Sequence, residues 1–366
     1  MSPENNRIRI AFVLPSLAGG GAERVILTLA GALDRARFDP VVVVLTGDGP
    51  LIPPTNTPMI DLGVRRLRWA HWALARQLRA LDPDIVLPTI GHMNIGVLSV
   101  RRWLRKRARV VIRESNLPSA SLPATNRPRL LQFLYQRYYP RADHVIAPSG
   151  VVARELQRDF SVDPARLTVL PQPVDSRALR DRAATPLRPP GPGPRFVAAG
   201  RLTPQKGFDR LLPLLRNMPE DGRLTLLGEG QLLAGLRAQV AALGVSDKVA
   251  FAGFQNKPWA YYAGADAFLL PSRWEGMPNA VLESLAAGTP VIATPESGGV
   301  GEIATACITG ALTLAAMPDA FAAAMRQVHP NPVSTPRPSL LPDAYELAGV
   351  VEHFEDLMIS IANSND

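Results

Sequence analysis

The chain has 366 residues, 46% apolar and 20% charged, a balance that excludes a disordered polymer and at this length suits two domains better than one core. Its single cysteine, Cys307, excludes an internal disulfide and fits a reducing compartment. No stretch approaches the roughly 18–20 uninterrupted apolar residues of a spanning helix, so a soluble or peripheral protein is expected.

Residues 7–14 read as a buried strand after a short polar lead. No small-residue cleavage site follows a long apolar run there, so a signal peptide is not expected. The strand runs into Gly19, Gly20 and Gly21, after which Glu23 and Arg24 open a helix. Three glycines let backbone N–H groups approach a phosphate or a sugar. Their spacing is not that of a dinucleotide loop, so no nicotinamide or flavin cofactor is expected.

Further strands are expected over 40–46, 84–89, 109–113 and 143–147, separated by amphipathic or Ala/Leu-rich segments. Apolar strands alternating with helices make an α/β fold with mostly parallel sheets. His92 follows the strand 84–89, and Arg113, Glu114 and Asn116 follow 109–113. Both places are strand carboxyl ends, where such folds bind ligands. A histidine there is weighed evenly between a structural and a catalytic role.

The net charge of +8 is uneven. Residues 1–177 carry about +11 and the remainder about −3. Two arginine clusters, 65–79 and 101–109, supply the excess and hold Trp69, Trp72 and Trp103. Such a surface suits anionic lipid headgroups or, less well, nucleic acid. Aromatic residues amount to 6% and are not interleaved as stacking platforms, so nucleic-acid binding is poorly supported. A solvated arginine-rich helix face is the plain alternative.

Residues 183–194 hold five prolines and two glycines, a composition unable to form a helix or a central strand, so 181–194 is expected to be an exposed linker. It separates a first domain, 1–180, from a second, 195–342. Strands follow over 195–199, 223–227, 248–252, 267–270 and 290–294. A second proline-rich breaker, 329–342, precedes a last amphipathic helix over 343–361, whose apolar face must dock somewhere.

After the strand 195–199 come Gly200, Arg201, Lys206 and Gly207. An arginine clamps phosphate oxygens bidentately and a lysine adds a mobile charge. Gly228, Glu229, Gly253 and Phe254 stand at the next two strand ends and could border a nucleobase, though core packing explains Phe254 equally well. After 267–270 comes the strongest constellation. Glu275 and Gly276 lie in a loop, Pro278 begins a helix, and Gly288 ends it. The helix start at Met277, Asn279 and Ala280 offers backbone N–H groups to an anion such as a diphosphate. Glu283 sits on the same helix, about 7.5 Å beyond Pro278 at 1.5 Å per residue. Two carboxylates flanking an anion site make sense as acceptors for sugar hydroxyls. No metal motif, phosphate-loop lysine or serine nucleophile elbow is present in the sequence.

Glu275-x7-Glu283, Gly200-Arg201-x4-Lys206-Gly207, Gly20-Gly21-x-Glu23 and the stretch from Ser297 to Ile303 together resemble retaining glycosyltransferases of the GT-B fold, family 4, over nearly the whole chain. The Gly21-Ala-Glu23-Arg24 start and the His92-Met-Asn94 stretch resemble the bacterial enzymes that extend polysaccharide or lipid-linked oligosaccharide chains. The resemblance implies two Rossmann-like domains facing across a cleft, with the last helix, 343–366, crossing back to the first. It implies a nucleoside-diphosphate sugar as donor, a glycan or lipid-linked acceptor, no cofactor and no metal. Arg201 and Lys206 would bind the diphosphate, Glu275 the transferred sugar and Glu283 the ribose. Gly276 to Ala280 would supply backbone contacts, Gly20 and Gly21 would lie by the diphosphate, and His92 and Glu114 would face sugar or acceptor. The implied place of action is the cytoplasmic face of the membrane. One departure is Gln172-Pro173, where the family often has Asn-Pro. An epimerase or a phosphorylase of the same fold is the alternative chemistry.

Overall fold

Strand runs buried on both faces need helices above and below them, and both halves of the chain meet that need in the same way. The computed structural model describes residues 7–64, 67–218, 221–331 and 337–364. It divides into two compact units, Met1–Pro173 with Ala348–Asp366, and Val174–Leu347. No helix among the described residues is long and apolar enough to cross a membrane.

In the first unit, β1 (Ile8–Leu14), β2 (Phe38–Val44), β3 (Met59–Asp61), β4 (Ile85–Pro88), β5 (Arg109–Arg113), β6 (His144–Ala147) and β7 (Leu167–Val169) form one parallel sheet in the order β3-β2-β1-β4-β5-β6-β7. In the second, β8 (Arg195–Ala199), β9 (Arg223–Leu227), β10 (Val249–Gly253), β11 (Ala267–Leu270), β12 (Val291–Ala293) and β13 (Leu312–Leu314) are ordered β10-β9-β8-β11-β12-β13. Numbered within its own unit, the second sheet reads 3-2-1-4-5-6, the doubly wound Rossmann order, and the first reads the same with a seventh strand added at the far edge. The ten expected strands are all present. Along β8, Phe196 and Ala198 pack into one apolar layer while Val197 and Ala199 pack into the other, the period-2 alternation of a doubly covered strand.

Three strands were not expected from the sequence: β3, β7 and β13. Each has three residues, lies at a sheet edge and is mostly accessible. A short edge strand covered on few sides carries no apolar run to betray it.

The sequence also places a linker at 181–194, whereas the units divide at Pro173 and Val174. Residues 176–182 form a helix capped by Asp175, whose Oδ1 accepts the Ala178 N–H at 2.8 Å. The proline-rich stretch after it lies against the second sheet for a chemical reason. Prolines offer carbonyls but no N–H, and buried Arg195 supplies the missing donors. Its guanidinium donates to Pro189 O at 2.9 Å, Pro190 O at 2.6 Å, Gly193 O at 2.8 Å and Asp221 O at 2.6 Å. Asp266, whose side chain is fully buried, accepts from both Arg188 nitrogens at 2.9 Å and from the Arg195 N–H at 2.7 Å. It also takes the Asn331 N–H at 2.7 Å, which fixes the entrance of the second proline-rich stretch; residues 332–336 of that stretch lie outside the described ones.

The last helix, Leu347–Asn363, groups with the first unit. Val350, Val351, Phe354, Met358 and Ile361 are buried, the face that the spacing marks out. Phe354 meets Phe12 of β1 at 6.3 Å between ring centroids. Glu355, a polar residue on that face, accepts the Asp34 N–H at 2.7 Å and pairs with Arg37 at 3.1 Å.

Candidate active site

In a doubly wound sheet the ligand crevice opens at the carboxyl ends of the two central strands, where the chain switches winding direction. For the second unit these are β8 and β11, neighbours in the sheet. The loops that leave them hold Gly200 to Gly207 and Pro271 to Pro278. The topology therefore brings together the two motifs that the sequence spaces about seventy residues apart.

Lys206 Nζ donates to Glu275 Oε1 at 2.6 Å, with both side chains largely buried. Ser272 Oγ donates to the same oxygen at 2.8 Å. The Ser272 carbonyl in turn accepts from Thr294 Oγ1 at 2.7 Å and Ser297 Oγ at 3.0 Å, which anchors the loop from below. Gly207 has φ +66°, and a Cβ there would collide with the Pro271 carbonyl, so only glycine lets the two loops close to this distance.

The helix Asn279–Ala286 begins beside this pair, with Pro278 in extended geometry ahead of it. Gly288, at φ +78°, follows its end, so both ends are punctuated as the sequence indicates. Glu283 is half-buried on this helix. The Met277 side chain belongs to the apolar core, and Pro278 has no N–H to give. The Gly276 carbonyl accepts the Gly299 N–H at 3.2 Å, so the expected stretch from Ser297 backs the site.

Arg201 is exposed, and among the described residues its guanidinium makes no hydrogen bond or ion pair. Its position after Gly200 puts it on the same loop as Lys206. Gly228 donates its N–H to the Gly253 carbonyl at 2.8 Å, and a Cβ on Gly228 would strike Gly200 O. The ends of β8, β9 and β10 are thereby drawn together. Glu229 and Phe254, at these ends, are exposed; the core-packing reading of Phe254 does not hold.

In the first unit the central strands are β1 and β4. Gly20 and Gly21 follow β1 and open the helix Gly21–Ala32; His92 follows β4 and is exposed in the first turn of the helix Gly91–Val100. Gly20 is required by its neighbour on the helix. A Cβ there would collide with the Glu23 carboxylate, and Glu23 is itself buried. The side of Gly20 where a Cβ would stand is thus filled by the Glu23 side chain, so only glycine fits there.

Glu114, expected to face sugar or acceptor, is turned inward. It is 2% exposed, and it accepts the Tyr139 hydroxyl, the Ser115 N–H at 2.8 Å and the Asn116 N–H at 3.2 Å. Its carboxylate shapes the loop after β5 from beneath and presents nothing outward. Tyr139 also accepts from Asn94 Nδ2 at 3.1 Å and stacks on Tyr135 at 4.3 Å. The Tyr135 hydroxyl lies where a Cβ on Gly91, the residue before His92, would be. Burial pushes the Glu114 carboxyl above its usual range and the Tyr139 phenol well above its own. The sequence signals missed here are Tyr135, the buried residue of an otherwise accessible helix Pro128–Tyr138, with Tyr139 in the turn just after it, and Ser272 and Gln205 at the site of the second unit.

Comparison with known proteins agrees with this geometry. Residues 19–177 match the profile described as Glycosyltransferase Family 4, and residues 180–338 that of Glycosyl transferases group 1. The N-acetylgalactosamine-N,N'-diacetylbacillosaminyl-diphospho-undecaprenol 4-alpha-N-acetylgalactosaminyltransferase of Campylobacter jejuni is 29% identical, with 81% of this chain and 83% of that protein covered. The lipopolysaccharide core biosynthesis glycosyltransferase LpsD of Rhizobium meliloti is 26% identical over 76% of each. Among solved structures, sucrose-phosphate synthase of Thermosynechococcus elongatus superposes with a TM-score of 0.79 at 17% identity, covering 97% of this chain and 99% of that one. Anabaena Alr3699/HepE in complex with UDP and glucose gives 0.73 at 17% identity, over 97% and 100%. Two parallel sheets of Rossmann order, a lysine–glutamate pair at a switch point and matching profiles over both halves converge on one assignment: the chain is a glycosyltransferase of the GT-B fold, belonging to Family 4 through its first half and to group 1 through its second.

Proposed function

We propose that the enzyme moves a sugar from a nucleoside-diphosphate sugar to a hydroxyl of a glycan or lipid-linked acceptor, with retention and without a metal, at the cytoplasmic face of the membrane. The observation that carries this reading is the Lys206–Glu275 pair at 2.6 Å, set at the switch point beside a helix start. An ammonium has three donors and Glu275 uses one, so two remain for diphosphate oxygens. Arg201, exposed on the same loop, adds a second cation. The leaving group acquires negative charge as the bond to the sugar breaks, and fixed cations placed there lower the barrier without solvent reorganisation.

Glu275 accepts a hydroxyl of the transferred sugar and Glu283 the ribose hydroxyls. In the step itself the bond from the anomeric carbon to the diphosphate oxygen breaks. The acceptor oxygen bonds to that carbon from the same face, and its proton passes to the departing phosphate oxygen. No protein nucleophile is required, and exposed His92 faces sugar or acceptor. The names of the relatives support the class of acceptor: one acts on a diphospho-undecaprenol glycan and another in lipopolysaccharide core synthesis. UDP and glucose in the Anabaena protein support the class of donor.

Release of nucleoside diphosphate from a panel of nucleotide sugars, with lipid-linked acceptors, tests the proposal. Transfer is expected with one base, and the product's anomeric signals in NMR should match the donor's configuration. Lys206→Ala should lower kcat/KM by about 10- to 100-fold, the equivalent of a lost charge-assisted bond of about 1.5–3 kcal/mol. Conversion of donor without acceptor would instead indicate an epimerase.

A further inference from the structure

We propose that Gln205 and the Arg273–Asp209 pair are positioning residues for glycosyl transfer, a clasp that binds the loop after β8 to the loop after β11 so that Lys206 and Glu275 meet the donor as one set. The inference rests on the donor reading above. A ladder of contacts joins residues on either side of that pair. The Arg273 N–H donates to Gln205 O at 2.8 Å, and Gln205 Nε2 returns to Trp274 O at 3.1 Å and Glu275 Oε2 at 3.4 Å. The Arg273 guanidinium donates to Pro204 O at 2.8 Å and grips Asp209 through both terminal nitrogens, at 2.8 Å and 2.7 Å.

Each contact constrains something different. Gln205 touches the free oxygen of Glu275, the one not taken by Lys206 and Ser272, and so sets the plane of the carboxylate. A forked arginine–carboxylate contact fixes direction as well as distance. Arg273 is one residue from Trp274 and two from Glu275, and Asp209 is three from Lys206, so the fork ties together the chain immediately flanking both functional groups.

The same pair contributes little to global stability. Arg273 and Asp209 are 36% and 41% exposed, and ion pairs at such exposure are weak. Arg210 plays the complementary part below: it donates to Pro271 O and Ser272 O at 2.8 Å and to Glu296 at 2.8 Å, holding the base of the loop on the sheet. Loss of the Arg273–Asp209 fork therefore loosens orientation while leaving the scaffold intact, and a misplacement of about 1 Å in a transfer site is enough to cost up to about 100-fold in rate.

The experiment uses the full-length chain, with Asp209→Asn, Arg273→Gln, Gln205→Ala and the swap Asp209→Arg/Arg273→Asp. For each, the melting temperature, donor KM and kcat are measured, together with the affinity for the nucleoside diphosphate alone. The inference expects near-wild-type melting, a fall in kcat/KM of about tenfold in each single variant, a smaller loss of affinity for the bare diphosphate, and partial recovery in the swap. Unchanged kcat/KM in the single variants overturns it. So does a loss that tracks the melting temperature and is not recovered in the swap. Failure of the wild-type protein to bind any nucleotide sugar would be a different result, removing the donor reading itself.

Discussion

Glu275 is a buried carboxylate whose fixed neighbours leave it with work still to do. Lys206 and Ser272 occupy one oxygen and Gln205 the other, yet a carboxylate offers about four acceptor positions, so a sugar hydroxyl can still be received. The residue types and spacing of this site are legible in the sequence because a glycine-flanked lysine and a glutamate ahead of a helix are local patterns. Their partners are not. Gln205 and Trp274 meet across 69 positions, and no local periodicity encodes that. Glu114 illustrates the limit from the other direction: its place after β5 was readable, but its inward orientation depends on Tyr139. Its raised pKa, caused first by burial, has a consequence for stability. A group that holds its proton more tightly when folded contributes fully below its ordinary value of 4.5 and loses that contribution as pH rises through the folded value. The stability of Glu114→Gln relative to wild type should therefore improve from about pH 4 to about pH 8, followed by urea unfolding. A flat difference, or one of opposite slope, contradicts this.

Elements in the middle of each sheet were readable because burial on both faces writes a continuous apolar run into the chain, as in Val41 to Val44 of β2. Edge strands β3, β7 and β13 carry no such run. The proline-rich stretch does not coincide with the division between the units for another reason: composition reports that it cannot be a helix, and says nothing of Arg195, which satisfies its carbonyls and holds it to the second sheet. The last helix is the converse case, where spacing alone identified the buried face and the structure supplied its seat. Phe354 is fully buried against β1, so Phe354→Ala should destabilise the first unit by about 3–5 kcal/mol. Urea titration followed by a probe in that unit measures it. A cost below about 1 kcal/mol would mean that the helix is not docked as described.

At the scale of the whole molecule, charge is unevenly distributed, with the excess of cations in the first half of the chain. The last helix brings Glu352, Glu355 and Asp356 onto the basic first unit, and Glu355 pairs with Arg37. The basic clusters that the sequence gives as separate segments meet in space. Trp72, 75% exposed, stacks on Trp103 at 5.0 Å, Arg102 lies 4.7 Å over the Trp103 ring, and Arg79 donates to the Trp103 carbonyl at 3.3 Å. Arg65, Arg66 and the side chain of Trp69 lie outside the described residues. Indole rings among guanidinium groups favour the lipid interface, and each such charge contributes on the order of 1 kcal/mol near an anionic surface. Flotation with vesicles of increasing phosphatidylglycerol content should carry the protein up, less so in high salt and less so for Trp72→Ala with Trp103→Ala. Flotation indifferent to lipid charge would exclude this mode of docking. The central claim, that Lys206 steadies a diphosphate at the switch point of the second sheet, is tested most directly by calorimetric titration of wild type and Lys206→Ala with the nucleoside diphosphate of the accepted donor. Binding about 10- to 100-fold weaker in the variant is the predicted result; equal dissociation constants would contradict it.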